Sequence, residues 1–204
     1  MLSWYRSSVT STTRRYHHGS LRAALVDAAL AAIERDGPAN VSLRALAREV
    51  GVSSAAPVHH FGDKAGLLTA IATEGFRTLA ASMTEAWRSE RTMLAVGVSY
   101  VEFAVTHPAH FAVMFRSDLL HSQDPDLLEA RRATEAVHRE AAAVVSRATG
   151  QEAQLVGLAG WSLMHGVTAL WADGLLPPAR AEDPVALARE LGTFLFQGAA
   201  AERA

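Results

Sequence analysis

The spacing of apolar residues predicts that this chain is built from amphipathic helices. Between residues 42 and 50 the apolar positions recur at the i, i+3, i+4, i+7 spacing of one helical face: Leu43, Leu46, Ala47 and Val50. Ser42 stands just before this face and is a candidate N-cap. Gly51 follows it, where a helix end favours a residue that can adopt positive φ. The pattern predicts a short helix that ends in a tight turn.

A second and even shorter helix is predicted directly after this turn. With Ser53 as its N-cap, the helix would run over residues 54–60 and stop near Phe61 and Gly62. Pro57 would then be the fourth helical residue, where it removes one backbone hydrogen bond. A helix this short persists only if one side packs on a scaffold, which leaves its other side free. The pair is typical of a helix-turn-helix, in which the second helix enters the DNA major groove, although a plain αα corner has the same pattern.

Helical periodicity continues on both sides of this pair. Ser20 is a candidate cap for a helix to about Arg35, and Asp63 for a long helix to about Arg88. Further helices are predicted near residues 92–105, 107–116, 125–149, 151–173 and 183–200. We therefore predict an all-α fold with an N-terminal three-helix helix-turn-helix DNA-binding domain and a larger α-helical ligand-binding and dimerisation domain. The predicted boundaries are 1–18 for a disordered basic arm, 19–66 for the DNA-binding domain and 67–204 for the C-terminal domain.

The distribution of charge supports this division. The formal net charge is −2, but residues 1–24 contain four arginines and no acid, whereas residues 76–204 contain 11 basic and 15 acidic residues. Positive charge is therefore concentrated where DNA would bind. The chain has no cysteine, which excludes disulfides and thiolate zinc sites. Its first 18 residues lack a continuous apolar stretch typical of a signal peptide, so we expect a cytoplasmic protein.

One uncharged segment, residues 153–172, is long enough to be considered as a membrane span. Polar residues and glycines are spread along it, which favours a helix buried against protein, so we expect no membrane association. This helix and the next, residues 183–200, are apolar over wide surfaces and need partners on two sides. We predict a homodimer whose interface is a four-helix bundle with two helices from each chain.

Aromatic and flexible apolar residues in the C-terminal half are candidates for a ligand pocket. These residues are Phe103, Phe111, Met114, Phe115, Trp161 and His165. The alternative is that they form plain hydrophobic core, which is the commoner use of such residues. His107 and His110 are spaced i, i+3, but no third ligand accompanies them, so we predict no metal site. No nucleophile elbow, Rossmann glycine pattern or Ser-His-Asp order is present, and we predict neither an enzyme nor a cofactor.

The helix-turn-helix segment resembles the DNA-binding domain of the TetR/AcrR family of bacterial transcriptional regulators. The residues that fall at this family's spacing are Ser42, Leu43, Leu46, Ala47, Gly51, Val52, Ser53, His60, Phe61, Lys64, Leu67 and Leu68. Val58 departs from the family pattern, which usually has an aromatic residue there, most often tyrosine. Pro57 is a second departure, and we interpret it as the mark of a subfamily. Residues 161–166 also match a W-x-x-x-H-G signature found in the C-terminal domain of part of this family.

The resemblance implies a dimeric regulator, most simply a repressor that a small molecule releases from a near-palindromic double-stranded DNA operator. The residues expected to contact DNA are Ser42, Arg44, Ser53, Ser54, Ala55, His59, His60 and Lys64. Ser54, Ala55 and His59 are the expected base readers, and Lys64 is expected to contact phosphate. The effector would be an apolar or amphipathic small molecule. The alternative function is an α-helical dimeric module that binds a small molecule or partner but not DNA.

Overall fold

The structure, a computed structural model, describes residues 18–201 and the side chains of residues 21–195. All regular structure in this part of the chain is helical, which confirms the all-α prediction. The helices are α1 (His18–Asp36), α2 (Leu43–Val50), α3 (Ala56–Phe61), α4 (Lys64–Glu90), α5 (Met93–Thr106), α6 (Pro108–Met114), α7 (Pro125–Thr149), α8 (Ala153–Ala172), α9 (Pro178–Ala181) and α10 (Pro184–Ala201), with 3₁₀ turns at Pro38–Asn40 and Ser117–Leu119. The predicted basic arm lies outside the described residues, except for residue 18.

The first two helices form largely as their sequence predicts. The Ser42 hydroxyl oxygen accepts a hydrogen bond from the Ala45 amide at 3.4 Å, and Gly51 closes α2 with φ 77°. The Val52 amide also donates to the Ala47 carbonyl at 2.8 Å, which fixes the chain as it leaves the helix. The prediction that Ser20 caps α1 is wrong, because the helical backbone already begins at His18. Ser20 therefore lies inside the first turn.

The third helix differs from its prediction at its start. Helix α3 begins at Ala56, after a turn in which the Ala56 amide donates to the Ser53 carbonyl at 3.0 Å. Its N-cap position is Ala55, so Ser53 provides no side-chain cap and the predicted helix over 54–60 is shifted by two residues. The shift places Pro57 in the first turn, where a helix amide has no intrahelical partner. Pro57 therefore costs no backbone hydrogen bond, contrary to the prediction.

Helix α4 is the longest helix among the described residues, and it packs on α3 at one end and on α5, α6 and α7 along its length. The Asp63 carboxylate accepts a hydrogen bond from the Gly66 amide at 2.7 Å, which confirms Asp63 as its N-cap. Near its start, Leu67, Leu68 and Ile71 are fully buried beside α1–α3. Further along, Leu79, Met83 and Trp87 are buried where α4 packs on α5 and α7. One continuous hydrophobic core therefore runs along this helix.

Helices α8 and α10 pack on each other and on α5, and α8 also packs on α7. Helix α8 is long and apolar enough to span a membrane by length and composition alone, and one third of that stretch, 33%, is buried within the chain. Its outer side carries large exposed apolar residues, among them Leu155 and Leu170, and Phe194 of α10 is 78% exposed. These helices thus cover the core on one side and present an apolar surface on the other.

Candidate nucleic-acid interface and interior cavity

The exposed side of α3 and of the turn before it forms a continuous surface, which we call the recognition face. It consists of Ser53, Ser54, Ala55, Val58 and His59, all of them exposed. Pro57 points the other way and is buried. Half of the Val58 side chain, 50%, is in solvent, which is unusual for a large apolar residue and leaves it free to contact a thymine methyl group or a deoxyribose. The face therefore combines small hydroxyl, methyl and imidazole groups.

Contacts on its inner side hold α3 in place. The Gly62 amide donates to the Val58 carbonyl at 2.8 Å, and Gly62 has φ 76°, a backbone conformation that favours glycine. The Arg22 guanidinium of α1 lies 5.2 Å from the centre of the Phe61 ring. The His60 and Phe61 rings lie 6.2 Å apart, and His60 is half-buried. Of the two histidines expected to contact DNA, His59 is thus the more accessible.

Gly66 fixes the turn between α3 and α4, a role that the sequence analysis missed. A Cβ atom at this position would lie 1.9 Å from the Phe61 carbonyl oxygen and 3.1 Å from its carbon. Both atoms belong to the backbone, so they can move away only if the end of α3 moves. The available signal was a glycine in the first turn of a predicted helix, where glycine is intrinsically unfavourable and needs a reason.

The other predicted DNA-contacting residues surround the recognition face. Ser42 and Arg44 are exposed at the start of α2. Lys64 is half-buried, and its ammonium donates to the Ala39 carbonyl at 2.5 Å, which ties α4 to the 3₁₀ turn after α1. An ammonium has two further donors, so this bond leaves it able to contact a phosphate. The predicted set lies on α2, α3, the turn between them and the start of α4, which pack on one another in sequence order, and each DNA contact stays a prediction.

A cavity of about 930 Å³, partly open to solvent, lies between α4, α5, α7 and α8. Most of its lining is apolar. Its lining includes Phe76, Leu79, Met83, Met93, Val96, Tyr100, Phe115, Arg131, Thr134, Glu135, His138, Arg139, Leu158, Trp161 and Met164. Cavities of this size and character accommodate drug-sized organic molecules.

The structure separates the six predicted pocket residues into three groups. Phe115 and Trp161 line the cavity. Phe103 and Met114 are 2% and 0% exposed and lie in the hydrophobic core. Phe111 and His165 do not line the cavity but lie behind the residues that do. The centre of the His165 ring is 5.8 Å from that of Phe111 and 4.9 Å from that of Phe115. A role for any of the six in ligand binding stays a prediction.

Tyr100 of α5 lines the cavity together with Phe115 and Trp161, and we call these three rings the aromatic wall. Tyr100 was not among the residues predicted to form the pocket. Its hydroxyl is hydrogen-bonded to His165 Nδ1 at 2.7 Å. Burial raises the pKa of the Tyr100 hydroxyl far above its usual value and lowers the pKa of His165. Both groups are therefore neutral near pH 7. Their bond joins α5 to α8, 65 residues apart in sequence.

Five polar residues of α7 line the cavity: Arg131, Thr134, Glu135, His138 and Arg139. The Arg131 guanidinium lies 5.3 Å from the centre of the Phe76 ring. The Thr134 hydroxyl donates to the Phe76 carbonyl at 3.3 Å. His138 Nε2 is buried and has no hydrogen-bond partner among the described residues, and burial lowers the pKa of this ring. Within the same part of the chain, no group of three His, Asp or Glu side chains is placed to hold a metal ion.

The loop before α7 contacts the start of α4. His121 Nε2 lies 3.0 Å from Asp63 Oδ1, and the His121 amide donates to the Thr69 hydroxyl at 2.9 Å. The hydrogen bond from the Gly66 amide holds the pKa of the Asp63 carboxyl below its usual value, so Asp63 is ionised at neutral pH. The helix that supports α3 is thus held directly by the segment that leads into the cavity wall.

Comparison with known families gives two matches on this chain. Residues 25–71 match the family described as bacterial regulatory proteins, tetR family, and residues 93–195 match the tetracycline-repressor-like C-terminal domain. A curated relative, the HTH-type transcriptional regulator BetI of Agrobacterium fabrum, is 53% identical over 47 residues. That alignment spans 23% of this chain and 23% of the relative, so the similarity is confined to one short segment.

Solved structures resemble the chain over nearly its whole length. A protein of unknown function from Rhodococcus sp. RHA1 is 32% identical with a TM-score of 0.73, covering 91% of this chain and 98% of its own. The TetR family transcriptional regulator PfmR from Thermus thermophilus shares the fold at 18% identity, with a TM-score of 0.68, covering 85% of this chain and 97% of its own. The C-terminal match alone spans half of the sequence, and the N-terminal match covers the helix-turn-helix. The chain belongs to the TetR family of DNA-binding transcriptional regulators.

Proposed function

We propose that the protein is a dimeric repressor that binds a near-palindromic operator and leaves it when a small molecule enters the cavity. The observation that carries this proposal is the course of α4. Its first turn supports α3, where Gly66 touches the Phe61 carbonyl, and its later turns supply Phe76, Leu79 and Met83 to the cavity wall. A ligand that tilts this helix would move the recognition face. The proposed division remains a DNA-binding domain at 19–66 and a ligand-binding and dimerisation domain at 67–204.

The DNA side of the proposal rests on the exposed recognition face. Two copies of α3 in a symmetric dimer would enter successive major grooves, which lie about 34 Å apart on one face of DNA. Ser54, Ala55 and His59 would contact base edges, and Ser42, Arg44, Ser53, His60 and Lys64 would support them at the backbone. The protein would act in the cytoplasm together with its DNA, and catalysis has no part in this mechanism.

The dimer is supported by the apolar outer side of α8 and α10. Large exposed apolar residues such as Leu155, Leu170 and Phe194 lie there. A Cβ atom at Gly166, on the same side of α8, would meet nothing within 4 Å in its own chain. A second α8 can therefore approach closely at this point. We propose the four-helix bundle of α8 and α10 from two protomers as the interface.

Release by a ligand follows from population shift. The dimer alternates between arrangements with different separations of the two recognition faces, and only one separation fits the operator. A molecule that binds the other arrangement more tightly lowers operator affinity, by no more than its difference in affinity for the two. Trp161 lines the cavity, His165 lies behind it, and both belong to the W-x-x-x-H-G signature. Family members that carry this signature would therefore share this part of the cavity lining.

The test is selection of genomic DNA fragments from the source organism by the purified protein at moderate salt, followed by footprinting of the enriched site. We expect enrichment of an inverted repeat protected on two successive major grooves. A folded dimer that enriches no sequence above non-specific background would contradict the proposal. Activation of the neighbouring gene in a transcription assay would contradict the repressor role alone.

A further inference from the structure

The charged side chains that line the cavity differ in how far they are buried. Arg131 is half-buried against Phe76, whereas Glu135 and Arg139, further along α7, are exposed. His138 lies between them and is held neutral by burial, which lowers the pKa of its ring. Arg131 therefore supplies the fixed positive charge next to the apolar part of the cavity.

The Arg131 guanidinium has little competition for its hydrogen-bond donors. Its one described hydrogen bond runs from Nη2 to the Met114 carbonyl at 3.4 Å, a long and therefore weak contact. No carboxylate lies within salt-bridge distance of it among the described residues, although Arg116, nearby in sequence, is paired with Asp118 at 2.8 Å. A guanidinium has five donors in a planar fork that matches a carboxylate. Most of this fork is available to a ligand.

The rest of the cavity is suited to an apolar body. Methionine side chains from three helices, Met83, Met93 and Met164, line it together with the rings of Tyr100, Phe115 and Trp161. Methionines adapt their shape to different apolar ligands, and flat rings bind both aliphatic chains and aromatic systems. The volume of about 930 Å³ lies near the upper end of the range for drug-sized ligands.

We propose that the effector is an amphipathic carboxylic acid, with its carboxylate paired to Arg131 and its apolar body between the methionines and the aromatic wall. This inference rests on the proposed function, because it names the class of molecule that the cavity would bind. An organic cation is disfavoured, because it would bury its charge beside the guanidinium.

His138 follows Arg131 by seven residues on α7, which places it about 10 Å further along the helix. Its Nε2 is buried from the cavity as well as from solvent. The polar contact of the ligand is therefore the one to Arg131.

The experiment compares ligands that share one apolar body and differ in the head group. Decanoate, 1-decanol and decylammonium, each below its critical micelle concentration, are titrated into the full-length dimer by calorimetry and by tryptophan fluorescence. A second set uses 4-phenylbutanoate and 4-phenylbutanol. We expect each carboxylate to bind at least about tenfold more tightly than its alcohol, because a charge-assisted hydrogen bond to arginine is lost in the alcohol. Equal or weaker binding of both carboxylates would overturn the inference, and this comparison needs no variant.

Two variants then locate the head group. Arg131→Met keeps most of the side-chain length and removes the charge, and Arg132→Met changes an exposed neighbour outside the cavity lining. The tenfold preference should disappear in Arg131→Met, remain in Arg132→Met and persist in part in Arg131→Lys. An unchanged preference in Arg131→Met would place the carboxylate elsewhere and overturn the proposal.

Operator binding separates this inference from the proposed function. Both stand if decanoate binds through Arg131 and lowers affinity for the selected operator. Carboxylate preference without any effect on operator affinity would contradict ligand release and leave the ligand class intact. Specific operator binding with no carboxylate preference would overturn the ligand class and leave the DNA-binding function intact.

Discussion

The recognition face and the cavity draw their residues from very different lengths of chain. The recognition face comes from seven consecutive positions, Ser53 to His59, held by caps and turns within the neighbouring sequence. The cavity collects side chains from four helices between Phe76 and Met164, which meet only when the helices pack. A local site is specified by the conformational preferences of a few residues. A cavity is what remains between packed helices, and substitutions anywhere along them can reshape it.

Gly66→Ala should have the largest effect, and it should act on the recognition face alone. The new Cβ would lie 1.9 Å from the Phe61 carbonyl oxygen, so the end of α3 must move. We expect operator affinity to fall on the order of a hundredfold, as for a backbone displacement costing about 2–3 kcal/mol. Fluorescence anisotropy on the selected operator measures this effect. Glu85→Ala, at an exposed position later on the same helix, is the control, and an equal loss there would refute the explanation.

Gly166→Glu should act on the dimer while leaving each protomer folded. A Cβ atom at this position meets nothing within 4 Å in its own chain, and the carboxylate beyond it would place a charge where two copies of α8 meet. We expect monomers in sedimentation velocity at micromolar concentration and a loss of cooperative binding to the full operator. Ala136→Glu, on the exposed side of α7, should remain dimeric. A dimeric Gly166→Glu protein would show that the interface lies elsewhere.

His59→Ala and Lys64→Ala should separate base reading from phosphate contact. His59→Ala should weaken the free energy of binding to the selected operator by about 1–3 kcal/mol and relax the sequence preference at one base position. Lys64→Ala should weaken binding to all sequences alike and lower the salt slope by about one unit. Lys64→Ala should also lower the free energy of unfolding, because the Lys64 ammonium donates a hydrogen bond to the Ala39 carbonyl. Altered preference in Lys64→Ala and none in His59→Ala would show that α3 is wrongly placed on DNA.

Tyr100→Phe should have the smallest effect and should act on the cavity wall alone. It removes the hydroxyl bonded to His165 Nδ1 and leaves the ring in place. We expect a loss of about 1–2 kcal/mol in the free energy of unfolding, because the buried His165 nitrogen loses its partner. Chemical denaturation measures it. Operator affinity without ligand should stay within about twofold of the wild type, and a larger change would mean that the wall shapes the recognition face even without ligand.

The same contrast between local and distant contacts explains how much the sequence could predict. Ser42, Gly51 and Asp63 act through neighbours three or four residues away, and the structure confirms each of them as a cap. The start of α3 was predicted two residues early because serine is a common cap and the position of Pro57 was given too little weight. Proline in the first helical turn is a stronger signal than a serine before it.

The cavity could not be predicted in the same way. Phe103 and Phe111 lie in the same aromatic segment as Phe115, and only the packing of α5 and α6 decides which ring faces the cavity. The spacing of residues along α7 does not distinguish Arg131 and His138 from its other polar residues. Only the packing of the helices places them beside Phe76 and Gly157. Periodicity identifies a helical face, but it does not show what that face will meet.

The central claim is that the cavity controls the recognition face through α4, and filling the cavity tests it most directly. Met93 is a buried residue of α5 that lines the cavity, and Met93→Trp replaces its side chain with a larger aromatic one that would fill part of the cavity. Operator affinity is measured by anisotropy, beside the unfolding temperature and the oligomeric state. We predict affinity lowered about tenfold without any ligand, within the usual range of allosteric coupling, in a dimer of nearly unchanged stability. Wild-type operator affinity in such a dimer would contradict the claim.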